Sequence, residues 1–462
     1  MTPSDSLVVS GGQVLAAGDW TAGDVFLANG RIVSAGSDVR SSGTGGGGPG
    51  EPTEVGTAGA GAERAALRQS ASNETATAAG APPAASGAPS APAPRADRTG
   101  DRTARLDAAG LLVVPGSIDL QCNGAVGIDI TTEPERLWEV AAALPRWGVT
   151  AWLPTIVTAP AAIRGRALAA LRSGPPPELA GDEVRCAVPL GLHFEGPFLA
   201  PERRGAHPAE HLGPPHRALV SDEGWTRDAG VTLVTLAPEL PSALDVVRDL
   251  VASGVVVSAG HSSASAGEAT AAIDAGITGV THLFNAMAPL HHRDPGLAGV
   301  ALTDERVRVG AIADGVHLHP AAVTLAARAL GERLCLVTDA VAAMGLGGVE
   351  ARVPLGVLEA FTSDEGGVRL ADGTLAGSDL SLDRAVRNLV TFAGVPLATA
   401  VGAVTAAPAA LLGLGDRGVI APGAVGDLVV LDPAGEVVAT VVGGRVAYDR
   451  RVLSPAPRTC GG

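Results

Sequence analysis

The chain contains no lysine: all 33 basic residues among its 462 are arginine. That excludes a Walker-type phosphate lysine, a Schiff-base lysine, a lysine general base and a carbamylated lysine bridging two metals. Aromatic residues are scarce, at 3%, so aliphatic side chains must fill the core, and a hydrophobic content of 46% supplies them. The four cysteines, Cys122, Cys186, Cys335 and Cys460, lie far apart with no CxxC pair, which argues against a disulfide framework or a structural zinc site. No unbroken apolar, uncharged run reaches the ~18 residues of a spanning helix, so no transmembrane helix is expected. The N-terminus, MTPSDSLVVSGG, lacks the basic segment and apolar stretch of a secretory signal. Positive charge is also in deficit, with a net charge of −15. A protein that binds nucleic acid by phosphate neutralisation, or an anionic membrane by attraction, is not expected. A cytoplasmic protein with neither nucleic acid nor membrane as partner is the expectation.

Composition divides the chain. Residues 7–36 carry short apolar runs broken by Gly and Asn-Gly turn signals, which predict strands. Residues 41–104 hold Gly, Ala, Pro, Ser, Thr and scattered charges, with Val55 and Leu67 as their only large aliphatics. Such a stretch buries too little apolar surface to offset its ordering entropy and is expected to be a disordered low-complexity insert. Beyond it, apolar runs at 117–122, 150–155, 187–194, 230–237, 255–260, 279–283, 308–313 and 333–338 predict eight strands. Segments such as SALDVVRDLVASG and PAAVTLAARAL, with helical spacing of apolar residues, separate most of them. The alternation predicts an α/β chain whose main domain is a (β/α)8 TIM-like barrel over 105–414. The C-terminal GDLVVLDPAGEVVATVVGGRVAYDRRV returns to strands. Residues 1–40 and 415–462 together are expected to form a small β-sandwich domain made of both chain ends.

All ten histidines fall between His193 and His319. Several polar residues coincide with predicted strand ends: Gln121 and Asn123 after strand 1, Glu195 after strand 3, His261 after strand 5, His282 after strand 6 and Asp339 after strand 8. In a barrel these ends converge on one mouth, where active sites are built. One carboxylate and two imidazoles suit a divalent ion with an open position for water. The ion lowers the pKa of that water to roughly 7, with Asp339 placed as general base.

The residues that carry this chemistry resemble the amidohydrolase superfamily, and within it the deacetylases of phosphorylated N-acetyl amino sugars. The matching motifs include PGSIDLQCNG (115–124), GLHFEGPFLAPERRGAHP (191–208), SAGHSSAS (258–265) and THLFNAMAPLHHRDPGLAG (281–299). ADGVHLHP (313–320), LVTDA (336–340), GTLAGSDLSLD (373–383) and GVIAPGAVGDLVVLD (418–432) also match, so the resemblance spans nearly everything except 41–104.

The resemblance implies a role for each matching residue. Glu195, His261 and His282 are the implied ligands of one divalent metal ion per subunit, whether Zn, Fe, Mn or Co. Asp339 is the implied acid/base and His207 the residue that polarises the substrate carbonyl. Asn285 and Ala286 would meet the sugar and phosphate end, with Arg293 and His317 as phosphate contacts. In relatives part of the phosphate grip comes from a neighbouring subunit, so a homodimer is implied. The expected reaction converts N-acetylglucosamine 6-phosphate to glucosamine 6-phosphate and acetate, in amino-sugar catabolism and cell-wall recycling.

Two departures stand out. Many superfamily members carry HxH after strand 1, which recruits a second metal, whereas Gln121 and Asn123 stand here. Neutral amides are poor ligands for a transition metal, so a second site there would be vestigial. Relatives often have a lysine in the loop after the ligand glutamate, where Arg203 and Arg204 stand here. A phosphate grip and a solvated surface remain equally open for these two. The epimeric substrate N-acetylgalactosamine 6-phosphate, a cyclic-amide hydrolase such as a dihydroorotase, and a non-catalytic amidohydrolase-like scaffold are the alternatives.

Overall fold

A computed structural model describes residues 6–36, 103–181, 185–347, 351–363 and 366–453. The insert expected over 41–104 lies outside these residues except for its last two, as does Cys460.

Eight parallel barrel strands run Ser117–Cys122, Val149–Val157, Leu192–Glu195, Val231–Leu236, Val256–Ala259, Gly279–Val280, Arg308–Ala311 and Leu334–Leu336. They are called barrel strands 1 to 8 below. Each pairs in parallel with the next. The ring closes beyond the ends of strands 8 and 1, where Cys122 bridges Ala340. These are the eight strands that the sequence predicts. The third is interrupted: Val188–Pro189 pairs with strand 2 before Leu192–Glu195 enters the barrel. Strand 2 is buried at every residue, as expected for a strand covered by helices on one side and barrel interior on the other.

Helices follow the strands for local reasons. The helix Ala243–Ala252 buries Ala243, Val246, Val247 and Leu250, one stripe at helical spacing. The helix Ala266–Asp274 starts on a capping box, with Ser265 accepting from the Glu268 amide and Glu268 reaching back. His216 and His319 accept backbone N–H groups at the starts of two further helices, Arg217–Asp222 and Pro320–Leu330. Part of the histidine clustering is therefore helix capping rather than chemistry.

The chain ends form one eight-stranded sheet around its own core, which includes Leu7, Val25, Leu27, Val430 and Val441. This sheet also takes in Ala104–Asp107 and Leu112–Pro115, both parallel to the N-terminal strand Ser6–Ala16. The boundary expected at residue 105 is thus corrected: the barrel begins at Ser117. The run LLVVP is apolar at successive positions because both its faces are covered. Val113 enters the core of the end sheet, while Val114 enters the barrel core.

After strand 8 the chain makes a three-stranded antiparallel excursion, Arg352–Leu355, Leu358–Thr362 and Val368–Arg369. It then returns to the barrel mouth, where Ser378 bridges Ala340. No helix among the described residues is long and apolar enough to cross a membrane.

Candidate active site

At the mouth of the barrel a cavity of about 360 Å³ is lined by Asn123, Glu195, His207, His261, His282, Asn285, Ala286, His317 and Asp339, with Arg203 at its edge. Nearly every candidate site residue thus meets in one place. Gln121 lies directly beneath, hydrogen-bonded to both carboxylates. Arg293 is the exception. It is exposed, does not line this cavity, and donates from Nη1 to the neighbouring His292 at 2.9 Å.

The centre is built on Glu195, at the end of strand 3 and 3% exposed. Its Oε1 lies 3.0 Å from His282 Nε2 and 3.3 Å from His261 Nε2, and the two Nε2 atoms are 3.1 Å apart. His261 Nδ1 donates to the Arg203 carbonyl at 2.8 Å, so its proton sits on the outer nitrogen and Nε2 presents a lone pair inward. Burial disfavours charge on Glu195, but the imidazoles of His261 and His282 facing it outweigh that and hold the carboxyl well below its usual range. Among the described residues these three form the one cluster with the spacing of metal ligands. A buried anion facing two imidazole nitrogens that point at each other is a donor set that a divalent cation satisfies, because no single proton serves all three contacts.

Asp339 stands across from them. Asn123 Nδ2 donates to its Oδ1 at 2.7 Å and Gln121 Nε2 donates to the same oxygen at 3.1 Å. Gln121 Nε2 also reaches Glu195 Oε1 at 3.0 Å. The two amides act as hydrogen-bond donors to carboxylates, both on Oδ1 of Asp339, so neither occupies its Oδ2. Burial, reinforced by the charge of Glu195, raises the Asp339 pKa to about 6.

The backbone around the site is strained. His261, His282 and Asp339 have φ of 49°, 28° and 47°, values uncommon for residues other than glycine. Tertiary hydrogen bonds hold Asp339 there: its N–H donates to Gln121 O at 2.9 Å and its carbonyl accepts from Ser378 N at 2.8 Å. Gly377, before Ser378, has φ 65°, and a Cβ there would fall 2.4 Å from Val341 Cγ1 and 2.8 Å from Asp339 O. This explains the GTLAGSD run, which the sequence matched without a role.

Several supporting residues escaped sequence reasoning. Asp119, inside strand 1, accepts from Thr338 Oγ1 at 2.6 Å and from the Gln121 and Thr338 amides at 3.2 and 3.3 Å. It ties strands 1 and 8 together directly below Gln121 and Asp339, and burial raises its pKa to about 7. The Thr158 amide donates to His207 Nδ1 at 3.3 Å. A backbone N–H can only donate, so the proton of neutral His207 sits on Nε2, 3.7 Å from Glu195 Oε2. Burial, above all, pushes the His207 pKa down to about 3, so the ring is neutral. His317 Nδ1 contacts Asp314 Oδ2 at 2.7 Å, which orients its ring; the i, i+3 pair in ADGVHLHP was the available signal. His193 is a packing histidine, buried between Thr155 and Thr235 and pushed down to about 4 by burial.

A metal-ligand cluster and a buried carboxylate at the C-terminal mouth of a (β/α)8 barrel define the class. The chain matches the Amidohydrolase family over residues 112–447 and belongs to it. Within that family it is 39% identical to the N-acetylglucosamine-6-phosphate deacetylase of Bos taurus over 361 residues, 76% of this chain and 86% of the relative. It is also 39% identical to the N-acetylgalactosamine-6-phosphate deacetylase of Escherichia coli O157:H7 over 328 residues, 70% of this chain and 84% of the relative. The structure of the Mycobacterium smegmatis N-acetyl-D-glucosamine-6-phosphate deacetylase in complex with N-acetyl-D-glucosamine-6-phosphate matches with a TM-score of 0.73 at 30% identity. That match covers 96% of this chain and 100% of that one.

Proposed function

We propose that the chain is a metal-dependent N-acetylglucosamine-6-phosphate deacetylase, which hydrolyses the acetamide to glucosamine 6-phosphate and acetate. The convergence of Glu195, His261, His282, Asp339 and His207 on one cavity carries this reading, together with relatives of that name at 39% identity.

Glu195, His261 and His282 would hold one divalent ion, of Zn, Fe, Mn or Co, which would supply Lewis-acid polarisation and lower the pKa of water. The protein's own groups do the rest. Asp339 Oδ2, left free by the two amides on Oδ1, takes a proton from the attacking water and passes it to the leaving nitrogen. A pKa raised to about 6 suits both halves of that task. His207 donates from Nε2 toward the developing oxyanion. Asn285, Ala286 and His317 face the sugar and phosphate end of the same cavity. Gln121 and Asn123, engaged as donors, make any second metal position vestigial.

Arg293 reaches phosphate from a second copy in this reading, which makes the enzyme a homodimer. Its exposure, away from the cavity of its own chain, supports that arrangement. A charged sugar phosphate does not cross membranes unaided, so the enzyme belongs in the cytoplasm with its substrate.

Acetate release by the metal-replete protein tests the proposal, with N-acetylglucosamine 6-phosphate, its unphosphorylated parent and N-acetylgalactosamine 6-phosphate side by side. Strong preference for the first is expected. Preference for the galactosamine epimer would support the second reading, which a relative of equal identity favours. No turnover of any of the three, with metal bound, would remove the substrate class.

A further inference from the structure

We propose that Asp119 and Thr338 form a side-chain clamp across the seam between barrel strands 1 and 8, and that this clamp holds the Asp339 carboxylate in place for proton transfer. The inference deepens the functional reading above and rests on the acid/base role it gives Asp339. Asp119 and Thr338 are positioning residues in this account.

The seam is joined differently from the rest of the barrel. Each of strands 1 to 7 pairs with the next through a ladder. Among the described residues strands 8 and 1 meet instead in a single bridge, Cys122 with Ala340, just beyond the end of strand 8. Lower down, residues 403–404 are wedged between the two strands. The Ile118 N–H donates to the Val404 carbonyl at 2.8 Å, and the Leu336 N–H donates to the Ala403 carbonyl at 2.9 Å. Between wedge and bridge the backbone N–H groups of both strands still need acceptors, because a buried amide without one costs free energy.

Asp119 supplies them. Its Oδ1 accepts the Gln121 N–H at 3.2 Å and the Thr338 N–H at 3.3 Å, and its Oδ2 accepts the Thr338 hydroxyl at 2.6 Å. The side chain is fully buried. These partners lie on both sides of the seam, so one carboxylate does the work of a ladder there.

Thr338 passes the restraint on to Asp339. Its Oγ1 accepts the Ala340 N–H at 3.1 Å and lies 3.0 Å from Gln121 O. Its carbonyl accepts the Ser378 hydroxyl at 2.5 Å. The residues before and after Asp339 are therefore fixed on one hydroxyl, with Asp339 between them at φ 47°. On the facing strand the same Asp119 fixes the backbone of Gln121, whose side chain donates to Asp339 Oδ1 at 3.1 Å. The clamp thus sets the backbone under the acid/base and under one of its two amide donors.

The test uses the full-length metal-replete enzyme and the variants Thr338→Val, Thr338→Ser and Asp119→Ala. Thr338→Val keeps the side-chain shape and removes the hydroxyl. A misplacement of about 1 Å costs on the order of 10²-fold, so kcat for N-acetylglucosamine 6-phosphate should fall by roughly 10- to 100-fold. KM should stay within about threefold, as for a group that acts in the transition state. Metal content should be unchanged, because Asp339 lies outside the ligand cluster. Thr338→Ser, which restores the hydroxyl, should recover most of the rate. Asp119→Ala should lose as much in kcat and also lower the Tm. In an Asp339→Asn background, Thr338→Val should lower kcat less than about twofold further, since residues that act as a unit are non-additive. A hydroxyl that only holds the barrel together would cost the same in both backgrounds. Wild-type kcat in Thr338→Val or in folded Asp119→Ala, or an equal loss with and without Asp339, would overturn the proposal.

Crystal structures of wild type and Thr338→Val separate the clamp from the functional reading. The Asp339 carboxylate should shift by more than about 0.5 Å relative to Asn123 Nδ2, beyond the tolerance of a catalytic geometry. That shift in a protein whose wild type deacetylates none of the sugars would sink the substrate and keep the clamp. An Asp339 that stays in place would sink the clamp even in an active deacetylase.

Discussion

His261 and His282 turn their Nε2 atoms toward each other across 3.1 Å, with Glu195 Oε1 within 3.3 Å of both. Each is in a left-handed backbone conformation, a strain that the site maintains to bring the two rings together. Removing either ring should abolish metal binding. Elemental analysis of His261→Ala and His282→Ala should find metal well below one per chain, against about one in wild type. Activity should fall by at least about 10³-fold, since the ion contributes several kcal/mol of transition-state stabilisation. Chelation should lower the Tm of wild type, because a ligand of the native state stabilises it by mass action, and should leave the Tm of the two variants unmoved.

Asp339→Asn should retain metal, because Asp339 is not in the ligand cluster, and should lower kcat by a factor on the order of 10² or more. An amide neither accepts the proton from water nor returns it to nitrogen. Near wild-type turnover with full metal content would remove Asp339 from the acid/base role.

His207→Ala should lower kcat on the order of 10²- to 10³-fold, the usual loss for one oxyanion donor. Metal content should be retained. His207→Gln, which can place an amide N–H near the same position, should recover part of the rate. Equal losses in both variants would argue that the imidazole does more than donate.

Arg293→Ala should raise KM for the phosphorylated sugar far more than for the unphosphorylated one. If Arg293 serves the neighbouring subunit, mixing Arg293→Ala with Asp339→Asn should restore activity, since a hybrid dimer holds one site with both residues intact. Activity in the mixture no greater than the sum of the separate variants would place Arg293 outside the partner's site.

Arg164 and Glu223 form an ion pair at 2.7 Å, outside the lining of the mouth cavity, with Arg164 5% exposed. Burial raises the Glu223 pKa, but the Arg164 hydrogen bond and charge lower it further, for a net fall below 4.5. A depressed carboxylate stabilises the fold above the unfolded pKa and loses that contribution as pH drops through the folded value. Glu223→Gln should cost about 2 kcal/mol at pH 7. Its Tm deficit should shrink steadily below about pH 4.5, the ordinary range of a glutamate. A deficit constant from pH 7 to pH 3 would show that charge is not what Glu223 contributes.

The strands and the main site residues were legible because their signals are local. A buried strand needs a short apolar run, and its end needs the polar residue that faces the mouth. Glu195, His261, His282 and Asp339 could be placed at strand ends from the sequence alone, and they line one cavity at the barrel mouth. Histidine clustering over-reported the site, because His193 packs and His216 and His319 cap helices. Thr158 and Asp119 were missed because a threonine amide and a strand-interior aspartate carry no signature of their own.

By itself, the sequence determined the alternation of strands and helices, the absence of lysine chemistry and the residue types at the barrel mouth. These depend on periodicity and composition, which need no knowledge of what lies opposite. Tertiary structure alone decided which nitrogen of His207 and His261 carries the proton, which of two adjacent arginines reaches the cavity, and that LLVVP joins the end sheet. Each turns on contacts between residues distant in the chain. Asp119 meets Thr338 across 219 positions, and the Arg203 carbonyl meets His261 across 58. Ring closure of the barrel makes such neighbours, and no local pattern encodes them.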